Sequence, residues 1–293
     1  MKSKLKSDNN FFYKYLLLWN RFKNYKGGLI GFYLFLVVIF IALFVPFLPL
    51  CDPYSIKFQS FLPPSFSHPF GTDEMGRDIF SRVLWGSRTS LSVGFGAALV
   101  SSIVGVLFGS LAGYVGGKLD ELLSRIIDIF LMIPAFFLIL LIVAIYGSSI
   151  YYVMLVIGLT TWPSTARIVR AQILSLKERE FIYAQKVIGS STFRILFVHL
   201  IPNSIQPIFA NSILQVASAI LLEAGLSFLG LGDPNVVSWG KMIYSGTSYI
   251  FTSWWIAFFP GIAIVVTVAS LNLIGDALVT ILSPKTEERG AYA

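Results

Sequence analysis

Five charge-free runs punctuate the chain: Gly27 to Cys51, Thr89 to Gly117, Ile129 to Ala166, Ile195 to Leu222 and Met242 to Gly275, of 25, 29, 38, 28 and 34 residues. About 20 apolar residues in a helix cross a hydrocarbon layer roughly 30 Å thick, so the 38-residue run has room for two short spans. Dividing it at Tyr146-Gly147-Ser148-Ser149 predicts six transmembrane helices in an all-α polytopic membrane chain.

The polar stretches between the runs carry patterns of their own. From Arg167 to Pro202 the reading is helix, break, helix: Glu180 to Ile188, then Gly189 with the positive φ that ends a helix, then Ser190, Ser191 and Thr192 as N-caps. Pro202 is expected to limit the second helix. Such a segment is either a solvated interfacial hairpin or a helix that docks on a partner. On the other side, Asp73 and Glu74 favour a helix start, and Ile79, Phe80, Val83 and Leu84 fall on one side of it. An amphipathic helix at the outer interface is expected there, with Trp85, Trp239, Trp254 and Trp255 as interface anchors.

Within the spans, small residues recur every fourth position at Ala97, Ser101, Gly105, Gly109, Gly113 and Gly117. In lipid such a stripe brings two helix backbones close, inside the chain or against another subunit. Asn203, Gln206, Asn211, Gln215 and Ser218 share an arc of roughly 180° on the fifth span. That face either lines a translocation route or makes interhelical hydrogen bonds.

Composition sharpens the picture. The 293 residues are 56% hydrophobic and 13% charged, with a mean hydropathy of +0.76, which excludes an ordinary soluble domain. With the N-terminus inside, 17 Lys and Arg residues fall on the cytoplasmic side and 5 on the other, so both termini are expected in the cytoplasm. The net charge of +7 is thus a topology signal and not a nucleic-acid footprint. The basic N-terminal segment precedes a long apolar run without a clear cleavage site and reads as an uncleaved anchor. Cys51 stands alone, excluding an internal disulfide. Glu223, Asp128 and Asp276 read as helix-end residues, so no midplane charge suggests a proton- or sodium-coupled carrier. His68 and His199 have no carboxylate at ligand spacing, and neither a metal site, a catalytic constellation nor a phosphate loop is indicated.

Three segments resemble the C-type subunit of binding-protein-dependent ABC importer permeases of the dipeptide/oligopeptide/nickel family. They are Gly71 to Asp78 with Ser81-Arg82 and Gly86-Ser87-Arg88; Tyr183-Ala184-Gln185, Gly189 and His199 to Asn203; and Glu223 to Gly232 with Ser238-Trp239-Gly240, Gly275-Asp276 and Pro284-Lys285. The middle segment resembles that family's cytoplasmic EAA motif, with Tyr183, Gln185 and His199 departing from it and Ala184, Gly189 and Pro202 matching.

The resemblance implies a permease fold with a cytoplasmic coupling helix, in the cytoplasmic (inner) membrane of a bacterium. Partners would be a homologous permease subunit, two ATPase subunits carrying ATP and Mg, an extracytoplasmic solute-binding protein and the bilayer. The chain itself would be non-catalytic and without cofactor. Phe181, Ile182 and Phe193 are the expected anchors on the ATPase, beside Ala184 and Gly189, with Arg179, Lys186 and Arg194 at the rim. The organisation is then 1–88 (basic segment, first span, external helix), 89–284 (five-span core with the coupling loop 167–202) and 285–293 (tail). Dipeptides or oligopeptides are the implied cargo, with nickel or a nickel chelate as the alternative; from another class, a membrane scaffold is the rival.

Overall fold

The computed structural model describes residues 19–282, and the start of the basic segment, the Pro284-Lys285 pair and the tail lie outside them. The described residues are almost wholly helical, with a single isolated bridge between Thr72 and Asp78. Helix α1 is Lys26–Phe44, apolar on every side. It meets the last helix, α9 (Trp255–Leu282), through Gly28 and Gly31, where an added Cβ would lie 2.6 Å from Ala277 Cβ and 2.7 Å from Leu273 Cβ.

Helix α2, Ile79–Val115, runs unbroken for 37 residues, about 55 Å. Asp78 caps it, accepting a hydrogen bond from Ser81 N at 2.8 Å. The expected separate amphipathic helix does not form, because Ile79 to Leu84 are the first turns of this long span, and Asp73 and Glu74 stand in the loop before it. Gly116 and Gly117, both at positive φ, end it.

The small-residue stripe of α2 packs inside the chain, on α5 (Ile150–Lys177). A Cβ at Gly105 would sit 2.6 Å from Thr165 Cβ, one at Gly109 2.4 Å from Ala166 O, and one at Gly113 2.9 Å from Arg170 O. In return, Gly158 of α5 admits Val100 and Ala97 of α2. Removing side chains from both surfaces substitutes van der Waals contact for the hydrophobic drive that lipid does not supply.

Between these helices the chain makes α3 (Gly117–Met132) and α4 (Ala135–Tyr146), bent 82° to each other. Pro134 is the cause: it pushes Ile133 out of the helical region, to φ −86° and ψ 124°, and offers no N–H of its own. The division at residues 146–149 is present, with Gly147 at φ 101° closing α4 and Ser149 opening α5. Among the described residues, four helices are long and apolar enough to cross a membrane, five if the bent pair is one span. The expected span missing from this count is the fourth in chain order, which corresponds to α5, 28 residues long but diluted by Thr160, Thr161, Pro163, Ser164 and Thr165.

Helix α6 is Glu180–Val187. Helix α7 covers Thr192–Leu231, passing through a π segment at Ile195–Leu200 and another at Ser227–Leu231. Pro202 therefore does not limit the helix: the wider π turn lies immediately before it, where the ring and its missing N–H would otherwise disrupt the ladder. A short helix α8, Trp239–Thr247, precedes α9.

Trp239 and Trp255 are buried, not interface anchors. Their indole N–H groups donate to Val83 O at 2.8 Å and Thr72 O at 3.1 Å, while Trp254 is half exposed.

Candidate functional site

Three assemblies of polar chemistry stand out, one at each end of α2 and one between the helices. At the C-terminal end of α2 lies a small knob. Arg179 is extended, α6 follows, and Gly189 at φ 76° turns the chain back. Ser190 N donates to Gln185 O at 3.0 Å and Gly189 N to Lys186 O at 3.1 Å, a Schellman closure that satisfies the last carbonyls. Ser191 then caps α7, accepting from Arg194 N at 3.3 Å.

Ile182, expected as an anchor on a partner, is instead 0% exposed. It clusters with Val169 and Ile173 of α5 and Ile195, Leu196, Leu200 and Ile208 of α7, because that side of α6 faces both helices. Burying such a side chain is worth about 1.5–3 kcal/mol, a contribution that ties the eight-residue helix to the bundle. The other expected residues, Phe181, Ala184, Lys186, Gly189, Phe193, Arg194 and Arg179, are exposed. Sequence reasoning passed over Val187 and Ile188, which at 86% and 71% are as open as Phe193 at 70%. Tyr183 donates its hydroxyl to Glu178 Oε2 at 2.6 Å, with Lys186 Nζ 5.2 Å from its ring. That hydrogen bond, with the carboxylate charge behind it, pushes the phenol above its ordinary pKa.

Three cations of α5 tie the knob end together. Arg170 clasps Asp120 of α3, Nε to Oδ1 at 2.5 Å and Nη2 to Oδ2 at 2.8 Å; Arg167 reaches Asp128 at 2.8 Å; Lys177 donates to Gly113 O of α2 at 3.1 Å. The bidentate pair fixes an angle as well as a distance. Its acidic partners lie on α3, where helical spacing of Asp120 and Asp128 would have given a signal.

The second assembly is a polar seam of α2, α5 and α7. Gln215 Nε2 donates to Ser164 Oγ at 2.6 Å, Asn211 Nδ2 to Thr165 Oγ1 at 3.1 Å, and Ser102 and Ser212 hydroxyls are 2.9 Å apart. Of the five polar residues expected on one face, only Asn211 and Gln215 are drawn onto α5. Asn203 turns back to His199 O at 2.6 Å, Gln206 is half-buried, and Ser218 is exposed. Ser164 and Thr165 were missed; a run of hydroxyls flanking Pro163 inside an apolar helix is the mark they left in the sequence.

The third is a cap formed by residues 52–78 at the start of α2. Asp73 accepts from Met75 N and Arg77 N, each at 2.9 Å, and from Arg77 Nε at 2.6 Å, with Arg82 Nε 3.6 Å away. Arg82 also donates to Pro53 O at 2.8 Å, and Ser81 to Cys51 O. Gly76 has φ 75° and Phe58 O in the place a Cβ would need, so the turn admits no other residue without displacement. Beyond the cap, Glu223, expected at a helix end, lies inside α7 at 3% exposure, its Oε1 accepting from Ser227 at 2.7 Å. Lys241 of α8 has its ammonium pKa lowered, by burial first and then by the Arg82 and Arg77 charges. Among the described residues, no three His, Cys, Asp or Glu side chains converge as a metal site.

A multi-pass helical membrane protein with a tethered knob at one end and a polar seam between its spans is the class that this fold defines. Its arrangement matches two inward-facing crystal forms of the MetNI methionine ABC transporter, with TM-scores of 0.55 and 0.53 at 19% and 17% identity. The match covers 70% and 69% of this chain and 98% and 97% of theirs. The family model described as "Binding-protein-dependent transport system inner membrane component" matches residues 105–288, and the chain belongs to that family. Residues 16–64 match the N-terminal TM domain of oligopeptide transport permease C.

Curated relatives run nearly the whole length. The dipeptide transport system permease protein DppC of Bacillus subtilis is 39% identical over 91% of this chain and 84% of its own. The oligopeptide transport system permease protein OppC of the same organism is 37% identical over 93% and 91%. The di/tripeptide permease protein DppC of Pseudomonas aeruginosa is 37% identical over 91% of each.

Proposed function

We propose that this chain is one permease subunit of an ATP-driven importer of dipeptides or oligopeptides in a bacterial cytoplasmic membrane, with the knob and both termini cytoplasmic. It works with a homologous permease subunit, two ATPase subunits that bind ATP and Mg, and an extracytoplasmic solute-binding protein. ATP binding and hydrolysis on the partners move the chain between outward- and inward-open forms; the chain carries no catalysis of its own.

The observation that carries the reading is the knob: an exposed apolar surface of Val187, Ile188 and Phe193, ringed by Arg179, Lys186 and Arg194, welded by Ile182 to α5 and α7. A surface so built transmits force from whatever grips it. Shifting a two-state protein from 1:99 to 99:1 takes about 5.5 kcal/mol of differential binding, which a handful of buried aromatic and aliphatic anchors can supply. The peptide cargo rests on the transport functions for which the relatives, 36–40% identical to this chain, are named. The test is uptake of labelled di- and tetra-alanine by vesicles holding the complete complex and its binding protein. Uptake that needs ATP supports the reading, and ATP-independent uptake or none would falsify it.

A further inference from the structure

Gln215 and Asn211 each spend an amide N–H on α5, and the chemistry of the hydroxyl opposite decides which way Gln215 faces. Ser164 has one proton, donated to Thr161 O at 2.9 Å. Its oxygen can therefore only accept from Gln215, so the group 2.6 Å away is the NH2 and the carbonyl Oε1 is turned off α5. Asn211 donates to Thr165 in the same sense, one turn earlier.

Neither carbonyl oxygen accepts a hydrogen bond within the described residues. Nor does either rank among the buried side-chain atoms lacking a partner, which there are Glu74 Oε2, His199 Nε2 and Glu223 Oε2. Both residues are half-buried, so each oxygen keeps some contact with the surface of this chain. In a span, an amide oxygen open to hydrocarbon costs several kcal/mol, so that surface is watered or covered by polar groups.

The spacing says what fits there. Residues four apart on a helix rise by about 6 Å. In an extended peptide the N–H groups that point one way recur every second residue, about 6.7 Å apart. We infer that Asn211 and Gln215 present two successive acceptors to alternate backbone N–H groups of an extended peptide as it passes, so that the path reads the main chain and is indifferent to side chains. This deepens the importer reading above and rests on it. The occupant is a peptide main chain; the facing permease subunit is the other occupant that the experiment separates.

The probe is tetra-alanine and its analogue with one central amide N–H replaced by an ester oxygen, taken up by the complete ATP-driven complex with its binding protein. The quantity is the ratio of amide to ester uptake, compared between the wild type, Gln215→Met and Asn211→Leu. The binding protein's own preference is common to all three and cancels. A lost hydrogen bond of ordinary strength predicts a ratio about fivefold smaller in either variant. Equal ratios would overturn the inference while leaving peptide import standing; uptake of neither probe by the wild type would remove both.

A second measurement does not depend on turnover. In a Cys51→Ser background, Gln215→Cys in the assembled complex is expected to react with a charged methanethiosulfonate, more slowly with tetra-alanine present. A thiol unreactive with or without peptide places the partner subunit there instead and overturns the inference.

Discussion

Arg170 holds Asp120 through two parallel hydrogen bonds, 2.5 and 2.8 Å long, so α3 and α5 cannot slide past each other at the knob end without breaking both. Asp120→Arg or Arg170→Asp alone should lower the melting temperature of the purified complex, and the double exchange should recover most of it. The pair is partly exposed, and a coupling energy of about 1 kcal/mol is expected from a double-mutant cycle. A cycle that closes at zero would show the clasp to be ornamental.

Gly189 has open space around the place of a Cβ, so its requirement is conformational and not steric. Gly189→Val forces a β-branched residue to φ 76°, which costs of order 1–3 kcal/mol and loosens the Schellman turn. In the importer proposed above, peptide uptake should fall while ATP hydrolysis by its ATPase subunits persists. Wild-type ratios of uptake to hydrolysis would contradict it.

Gly109→Val places its first added atom 2.4 Å from Ala166 O, with both backbones in the way. Overpacking of this kind costs about 1–3 kcal/mol, read as a loss of thermal stability in detergent. Gly261, whose Cβ would meet nothing within 4 Å, provides the control: Gly261→Ala should be neutral.

Asp73→Ala removes the carboxylate that neutralises Arg77 and lies nearest Arg82, a buried guanidinium. Breaking one side of such a pair costs about 3–5 kcal/mol. The cap should open, and protease added to the purified protein should cut between residues 52 and 78 in the variant but not in the wild type.

Much of this architecture is local and so was legible. The Gly189 turn, the Ser191 cap and the break at 146–149 each depend on a few adjacent residues whose φ preferences are written in their side chains. The burial of Ile182 is not of that kind. Helix α6 has apolar residues on several sides, and only the arrival of α5 and α7 decides which side is inside. Pro202 misled for a related reason: a π turn upstream absorbs the disruption, and nothing in the residue itself announces that. The polar face of α7 was visible in sequence, but its partners Ser164 and Thr165 were not, because a hydroxyl can satisfy itself on its own helix and passes within an apolar run.

The bend at Pro134 reaches beyond the protein. With α3 turned 82° away, α4 offers only 12 residues, about 18 Å, to a layer roughly 30 Å thick. Along that flank acyl chains must compress or a neighbouring subunit must stand in for them. Bilayers of graded chain length are therefore expected to tune this protein through its thinnest wall, where mismatch costs a fraction of a kcal/mol for each ångström.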